Sequence, residues 1–230
     1  MSKKENNDTL RYERKFLITA WSYKEVEQML RFHPSCFSEI FHQRQINNIY
    51  FDSLGMDSYY DNVEGEKMRT KVRIRWYGEL FGKADRPVLE FKIKKGLLGK
   101  KLSFPLEPFH VDKSFDLKVF FEAISKGSLP GDIKNELLAR QPLLLNSYSR
   151  KYFLSADKKF RVTIDHQLSY YRIAGQDNQF LNKRIDREST VLELKYNAED
   201  ELAAKDVGAS FPFPLTKNSK YLKGIESVML

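Results

Sequence analysis

The residues best suited to chemistry in this sequence are the charged ones between positions 71 and 101. Two strand-like runs there alternate apolar with charged side chains, which are Lys71, Arg73 and Arg75 in the first run and Glu90, Lys92 and Lys94 in the second. Because successive side chains of a strand point to opposite faces, each run has one apolar face and one face made mostly of cations. Lysine and arginine in such numbers indicate the binding of an anion, and phosphate groups suit them well.

The two runs are separated by a turn-prone segment, GKADRP, at residues 82–87. If they pair as a hairpin, their cations merge into one basic surface, which the KKGLLGKK segment at residues 94–101 extends. An ordinary half-buried antiparallel strand, with its charges in water, explains one such run equally well. The functional interpretation therefore depends on whether other strands carry the same charge on one face.

The composition supports an anionic partner. The 230 residues include 39 Lys and Arg against 31 Asp and Glu, which gives a net charge of +8 and a pI of about 9.3. Such a balance favours nucleic acid, a membrane surface or a polyphosphorylated molecule. Cys36 is the single cysteine, which excludes an internal disulfide and suits a reducing compartment.

No apolar run approaches the length of a transmembrane helix, and the first residues lack the apolar segment of a signal peptide. We therefore expect a cytoplasmic protein without a transmembrane segment. Residues 1–9 are predicted to form a disordered tail, and residues 10–230 a single domain.

Helical segments are predicted between the strands. Ser22 and Glu25 fit a capping box at the start of a helix that Pro34 closes, and a short helix is expected within residues 55–63. Apolar residues at helical spacing predict a helical insertion over about residues 112–141. The sequence ends in another helical stretch, in which Lys217 and Lys220 are expected to share one face.

Further alternating runs are expected near the N-terminus and in the second half of the chain, at residues 11–18, 44–53, 146–156, 158–173 and 190–197. The stretch around residues 175–190 fits either a loop or a hairpin. Charges on one face of these strands include Glu13, Lys15, Arg161, Glu193 and Lys195, while the opposite face is apolar. This pattern predicts an α+β protein, an antiparallel β-barrel with a basic lining and helices packed outside, and leaves an ordinary basic sheet as the alternative. Because buried unpaired charges are costly, a basic lining implies a polyanion within it.

Several short motifs occur in a characteristic order: RxExKF, KVRIRWYG, LEFKIKKG, SYSRKYF, RVTID, VLELKYN and KNSKYLKG. Together they resemble the catalytic domain of the vacuolar transporter chaperone (VTC) family in its free-standing bacterial form, within the triphosphate tunnel metalloenzymes. The resemblance runs from about residue 11 to residue 226. It implies a tunnel of antiparallel strands that transfers the γ-phosphate of ATP to inorganic polyphosphate with Mn²⁺ or Mg²⁺, and no role for nucleic acid.

The resemblance also assigns site residues. The catalytic positions are Lys15, Arg73, Arg75, Lys92, Arg150, Arg161 and Lys195. The phosphate-binding positions are Lys94, Lys100, Lys101, Lys217 and Lys220, where spacing leaves open whether Lys100 or Lys101 is the family lysine. The metal-binding glutamate matches Glu193, and Glu13 and Glu90 are candidate further carboxylates of the lining. We interpret Asp165 as a strand-end or turn-capping carboxylate or as a partner for a tunnel arginine.

One departure from related proteins bears on the reaction. Related triphosphatases and cyclases begin with ExExK, whereas this chain has Arg11 at the first glutamate position. Fewer carboxylates favour transfer to a phosphate acceptor over transfer to water. A triphosphatase, a non-catalytic polyphosphate- or nucleotide-binding module and an RNA-binding protein with an exposed basic sheet remain alternatives. The sequence offers no obvious reader for the base of ATP and leaves the oligomeric state open.

Overall fold

The computed structural model describes residues 11–95, 98–112, 115–175 and 178–230. The predicted tail at residues 1–9 lies outside the described residues. So do Gly96 and Leu97 of the basic hairpin, and residues 113–114 of the helical insertion.

Most of the strands belong to one nine-stranded antiparallel sheet. In chain order the strands are β1 (Arg11–Ile18), β2 (Ser38–Asp52), β3 (Met68–Tyr77), β4 (Gly82–Ala84), β5 (Val88–Lys95), β6 (Leu98–Pro105), β7 (Phe109–Val111), β8 (Gln141–Leu154), β9 (Arg161–Arg172), β10 (Lys183–Asp186) and β11 (Thr190–Asn197). Their order in the sheet is β1-β11-β9-β8-β2-β3-β5-β6, with β10 also paired to β9, while β4 and β7 form a separate two-stranded sheet.

The helices pack mainly outside this sheet. They are α1 (Tyr23–Arg31), α2 (Asp57–Glu64), α3 (Leu117–Lys126), α4 (Gly131–Leu138), α5 (Glu201–Ala209) and α6 (Lys220–Val228). The predicted capping box of α1 is confirmed, since the Ser22 side chain accepts from the Glu25 amide and the Glu25 carboxylate accepts from the Ser22 amide at 2.7 Å. No helix in the described residues is long and apolar enough to cross a membrane.

Two apolar cores cover the outer face of the sheet. In the first, Val26 and Leu30 of α1 pack with Phe16, Val162 and Leu192 of the strands. In the second, residues of α3, α4, β4 and β7 cover the apolar side of the basic strands, with Ile74, Trp76, Phe91, Phe120 and Leu137 among its buried members. The apolar faces predicted from alternation are therefore buried outside, which leaves the charged faces directed inward.

A third core lies on the inner face, where α6 closes part of it. Tyr221 and Ile225 of α6 are buried against Leu144, Tyr148 and Tyr170. A Cβ at Gly224 would come within 2.8 Å of Tyr170 Cδ1 and would also overlap the Leu144 side chain. The absence of a side chain at this position therefore lets α6 approach β8 and β9 closely.

The sheet curls so that distant strands face each other. Glu13 Oε2 of β1 lies 3.5 Å from Lys92 Nζ of β5, although these strands are far apart in the sheet order. Within the described ranges no ladder joins β1 to β6, and the segment before α6 spans part of that gap. The Thr216 amide donates to the Lys15 carbonyl at 2.8 Å, and Lys71 Nζ donates to Ser219 Oγ at 2.9 Å.

Several local predictions need correction. The GKADRP segment is more than a turn, because Gly82–Ala84 pairs with Phe109–Val111. Lys217 does not share a helical face with Lys220, since Ser219 is the N-cap of α6 and Lys217 precedes the helix. Within the polar stretch around residues 175–190, the hairpin alternative is confirmed, because Lys183–Asp186 pairs with β9.

Candidate functional site

The inner face of the sheet gathers the predicted charged residues. Lys15 lies opposite Glu193 in the β1–β11 ladder, and Glu13 lies opposite Lys195. Residues opposite each other in a ladder share a face. By the same criterion the inner face includes Lys71 opposite Lys92, Arg73 opposite Glu90, and Lys92 opposite Lys101.

The most enclosed part of this face is a buried ion cluster of Arg150, Asp165, Glu193 and Lys220. Arg150 binds Asp165 with two hydrogen bonds of 2.5 and 2.6 Å and reaches Glu193 at 3.2 Å. Lys220 Nζ lies 2.5 Å from Asp165 and 3.4 Å from Glu193. Two cations and two carboxylates therefore neutralise one another, and each of the four residues is at most 8% exposed.

The charges of this cluster are mutually stabilised. Burial alone would raise the pKa of the Glu193 carboxyl, but the surrounding cations, Lys195 foremost, hold it well below its usual range. Burial opposes the charge on Lys220 as well, yet Asp165 and Glu193 raise its pKa. Both groups are consequently ionised at neutral pH.

A pair of carboxylates, Glu13 and Glu193, extends the cluster towards solvent. Lys195 Nζ lies 3.8 Å from Glu13 and 3.2 Å from Glu193, and Lys15 Nζ lies 3.7 Å and 3.6 Å from the same two residues. Burial and the neighbouring Glu193 would raise the pKa of Glu13, but Lys15, Lys92 and Lys195 together lower it.

An arginine cluster surrounds Glu90 on the opposite side of the inner face. Arg73 lies 2.7 Å from Glu90, Lys101 3.0 Å and Arg75 4.0 Å. Burial would raise the pKa of Glu90, but these three cations lower it to about 2. One carboxylate thus faces three cations, so this cluster keeps a net positive charge.

A lysine row of Lys71, Lys92 and Lys94 continues the positive charge along β3 and β5. Burial and nearby cations lower the pKa of Lys71 to about 7. The pKa of Lys92 is lowered to about 8, mainly by burial and against the attraction of Glu13. Its side chain is still 46% exposed to solvent. In the described part of the chain, no carboxylate lies within ion-pair distance of Lys71 or Lys94.

The remaining predicted positions lie at the margins. Arg161 is exposed at the start of β9, opposite Lys195. Lys217 is exposed in the segment before α6. Lys101 joins the inner face, whereas Lys100 lies opposite Ile93 and therefore on the outer face.

Some inner-face residues were not among the predicted site residues. Lys71 belongs to the same alternation as Arg73, so its signal was present in the sequence. Asp165 is the buried partner of Arg150, which agrees with one of the interpretations left open above. Tyr148 accepts a hydrogen bond from Arg75 at 3.3 Å and lies beneath Lys220, with Nζ 4.8 Å from the ring centroid. Strand alternation alone does not show whether this tyrosine belongs to the site or only packs in the core.

Three carboxylates of the inner face, Glu13, Glu90 and Glu193, are candidate ligands for a divalent metal. Both oxygens of Glu90 are engaged, one by Arg73 and the other by Lys101. Among the described residues no group of three or more His, Cys, Asp or Glu side chains could hold a metal. Both oxygens of Glu193 are also engaged, by Arg150 at 3.2 Å and by Lys220 at 3.4 Å, so a metal there competes with these cations. Glu13 and Glu193 are both ionised, and two carboxylates are enough to hold Mg²⁺ when substrate phosphates and water complete its shell.

Comparison with solved structures supports the fold. A candidate adenylate cyclase from Vibrio parahaemolyticus is 10% identical, with a TM-score of 0.53, and the match covers 96% of this chain and 99% of that chain. A candidate adenylyl cyclase from Hippeastrum, described as having a dominant triphosphatase activity, is 11% identical, with a TM-score of 0.50 and coverages of 95% and 98%. At these identities the likeness concerns the fold alone, and the α+β triphosphate tunnel fold expected above is confirmed.

Sequence comparison supplies the family. Among curated proteins none matches this chain. The VTC domain, however, matches residues 10–229, which is nearly the whole sequence and contains every strand and helix of the inner face. The chain therefore belongs to the VTC domain family.

Proposed function

We propose that this protein is a metal-dependent polyphosphate polymerase that transfers the γ-phosphate of ATP to the end of an inorganic polyphosphate chain. The observation that carries the proposal is the uneven neutralisation of the inner face. The buried ion cluster is balanced, the arginine cluster has one carboxylate for three cations, and the lysine row is almost without counter-ions. A linear polyanion supplies the missing negative charge along this row.

The arrangement favours phosphates over a flat nucleic acid surface. The cations face each other across a curled sheet, as the contact between Lys92 and Glu13 requires. An exposed basic sheet for RNA would instead present them outward. Where the lysine row ends at Lys94, a cavity of about 200 Å³ is lined by Arg69, Lys94 and Arg140 together with Asp57 and Asp61, so cations outnumber carboxylates there by one.

Two anions must approach each other during transfer, and their repulsion is the main barrier that the protein can lower. Arg73 and Arg75 present forked donors to the non-bridging oxygens of the transferred phosphate. Tyr50 and Glu90 hold Arg73, while Asn48 and Tyr148 hold Arg75, so neither guanidinium has to be oriented during the reaction. The lysine row holds the acceptor chain.

In the proposed reaction an oxygen of the acceptor's terminal phosphate attacks the γ-phosphorus of ATP. The bond between that phosphorus and the β,γ-bridging oxygen breaks, and ADP leaves with the bond electrons. The acceptor gains one phosphate unit. Donors preorganised around the developing charge stabilise this transition state.

Glu13 and Glu193 would hold Mn²⁺ or Mg²⁺, which when bound supplies positive charge to the phosphate oxygens. Lys15 and Lys195 touch both carboxylates and keep them close together in the absence of other cations. Because Glu90 is engaged elsewhere, the site offers fewer free carboxylates than the activation of water by several metals would need.

The test is a product assay. Purified protein is incubated with ATP and Mn²⁺, with and without a short polyphosphate primer, and ADP, free phosphate and long polyphosphate are measured. We expect ADP and polyphosphate to rise together, and both to be lost in Arg73→Ala and Glu193→Gln. Lys24→Ala on the exposed face of α1 is the matched control and should retain full activity.

Other products would point to the alternatives. Free phosphate and ADP without polymer would make the protein a triphosphatase. Tight binding of triphosphate with neither product would make it a binding module. Either result contradicts the proposed polymerase activity.

A further inference from the structure

The two ends of the inner face differ in chemistry. At the end formed by Arg69 and Lys94, the cavity lining has no aromatic side chain among its described residues. At the other end, where β2 begins and β3 ends, three aromatic rings surround one arginine. We call the residues Phe41, Arg44, Tyr77 and Tyr152 the mouth cluster.

The mouth cluster is closely assembled. The Arg44 guanidinium carbon lies 4.8 Å from the ring centroid of Phe41, 5.5 Å from that of Tyr152 and 5.7 Å from that of Tyr77. Phe41 and Tyr152 pack edge to face at 5.7 Å. Among the described residues no carboxylate forms an ion pair with Arg44. Even so, Phe41 and Tyr77 are each 50% exposed, which leaves large aromatic surface in water.

An irregularity in β2 builds this cluster. In the β2–β8 ladder Phe41 lies opposite Tyr152 and Arg44 opposite Arg150, so three steps along β2 match two along β8. In a regular strand, residues three apart point to opposite faces. The bulge brings both Phe41 and Arg44 to the mouth, as bulges beside functional sites often re-aim side chains.

The mouth cluster lies two residues along the strands from Arg75 and Arg150. Tyr77 is two residues beyond Arg75 on the same face, and Tyr152 is two beyond Arg150, which is about 7 Å along a strand. Tyr77 is four residues, or about 13 Å, beyond Arg73 on the same strand, so a nucleoside triphosphate with its γ-phosphate at Arg73 can extend its ribose and base towards this ring. Helix α6 fills the inner face beside Leu144 and Tyr170, so the base has no room there.

We propose that the mouth cluster is the nucleobase platform of the enzyme, where the base of the nucleoside triphosphate stacks on Tyr77 and Phe41 while the phosphate acceptor lies along the lysine row. The inference rests on the proposed function. Aromatic faces and arginine planes bind bases by stacking, and the aromatic faces add nothing to the binding of a bare phosphate chain. The donor and the acceptor therefore occupy different ends of the same inner face.

The test compares ATP with inorganic tripolyphosphate by calorimetric titration in EDTA, which withholds the metal. Tyr77→Ala and Phe41→Ala should each weaken ATP binding about tenfold, as expected for loss of one stacking surface. Tripolyphosphate binding should not change. Tyr77→Phe, which keeps the ring, should bind ATP like the wild type, as should the control Tyr60→Ala, whose side chain is 51% exposed on α2.

The proposed nucleobase platform would be contradicted if both alanine variants bind ATP as tightly as the wild type. It would also be contradicted if they lose affinity for ATP and for tripolyphosphate equally. If the wild-type protein binds neither ligand, in EDTA or with Mn²⁺ added, the proposed function itself fails. Binding of tripolyphosphate with no effect of the ring variants on ATP leaves the proposed function standing and removes only this inference. Thermal unfolding of each variant verifies that the fold is intact.

Discussion

The buried ion cluster and the lysine row line the same inner face, but the cations of the cluster are paired with carboxylates and those of the row mostly are not. In the cluster, Arg150 and Lys220 each contact both carboxylates at 3.4 Å or less. In the row, Lys71 has a serine hydroxyl as its close partner, and Lys92 has one carboxylate at 3.5 Å. The pKa of Lys220 is raised, whereas that of Lys71 is lowered to about 7.

This difference indicates that the cluster mainly stabilises the fold, whereas the row mainly binds the substrate. The cluster joins β8, β9 and β11 to α6, and its charges are already satisfied. The lysines of the row repel one another and have few carboxylate partners, so a bound anion would stabilise their charged forms. Substitutions of Arg150, Asp165 and Lys220 should therefore act mainly on stability. Substitutions in the arginine cluster and the row, and of Glu193 as a proposed metal ligand, should act on activity.

The largest effect is expected from Asp165→Asn. The change leaves Arg150 and Lys220 buried with a weaker partner, and breaking a buried ion pair costs about 3–5 kcal/mol. The free energy of unfolding, measured with urea, should fall by this amount. Asp206→Asn, at an exposed position on α5, is the control and should have almost no effect. A change no larger than the control's would show that the cluster does not hold the fold.

Substitutions of Arg73 test whether the arginine cluster needs only a positive charge or also the forked shape of the guanidinium group. Loss of one preorganised donor at an anionic transition state lowers the rate about 10²–10³-fold, and we expect this for Arg73→Ala in the ADP-release assay. Arg73→Lys keeps the charge and loses the fork, so it should recover only part of the rate. Full activity in the lysine variant would contradict the role assigned to the guanidinium, provided that its urea unfolding matches the wild type.

Gly224→Ala tests whether α6 must approach the inner face closely. The added methyl group would overlap Leu144 and Tyr170, and overpacking of a core typically costs about 1–3 kcal/mol. The melting temperature should drop accordingly. Gly131→Ala at the exposed start of α4, where a Cβ meets open space, is the matched control. Equal melting temperatures would mean that the helix can shift without loss.

The smallest expected effect is a change of pH dependence in Lys71→Met. Because the pKa of Lys71 falls to about 7 on folding, the folded state binds fewer protons than the unfolded state above that pH. Stability then rises as the pH increases from about 7 towards the unfolded pKa. The variant should show a flatter rise between pH 7 and 9 in thermal unfolding, and Lys24→Met should match the wild type. An unchanged slope would indicate that burial and the neighbouring cations do not lower the pKa of Lys71.

Much of the inner face could be predicted because strand alternation is local. The pattern of residues 71–77 and 89–94 specifies which side chains share a face, and the structure pairs them as a hairpin. The choice between Lys100 and Lys101 could not be made, since a register shift of one residue reverses the face and only the β5–β6 pairing fixes it.

Other features depend on contacts remote in sequence. The mouth cluster needs a bulge in β2, which no spacing rule in the sequence reveals. Helix α5 buries the small residues Ala204 and Gly208, so its apolar periodicity is too weak to predict. Lys217 was placed on the last helix because its spacing fits, but the Ser219 side chain accepts from the Leu222 amide and begins the helix later.

The central claim is that the incompletely neutralised part of the inner face binds the phosphate chain. The most direct measurement is a crystal structure with tripolyphosphate and Mn²⁺, using anomalous scattering to locate the metal. We predict phosphate groups between Arg73, Arg75 and the lysine row, with Mn²⁺ at Glu13 and Glu193. A chain bound only on the outer surface, with the inner face empty at saturating ligand, would contradict the account.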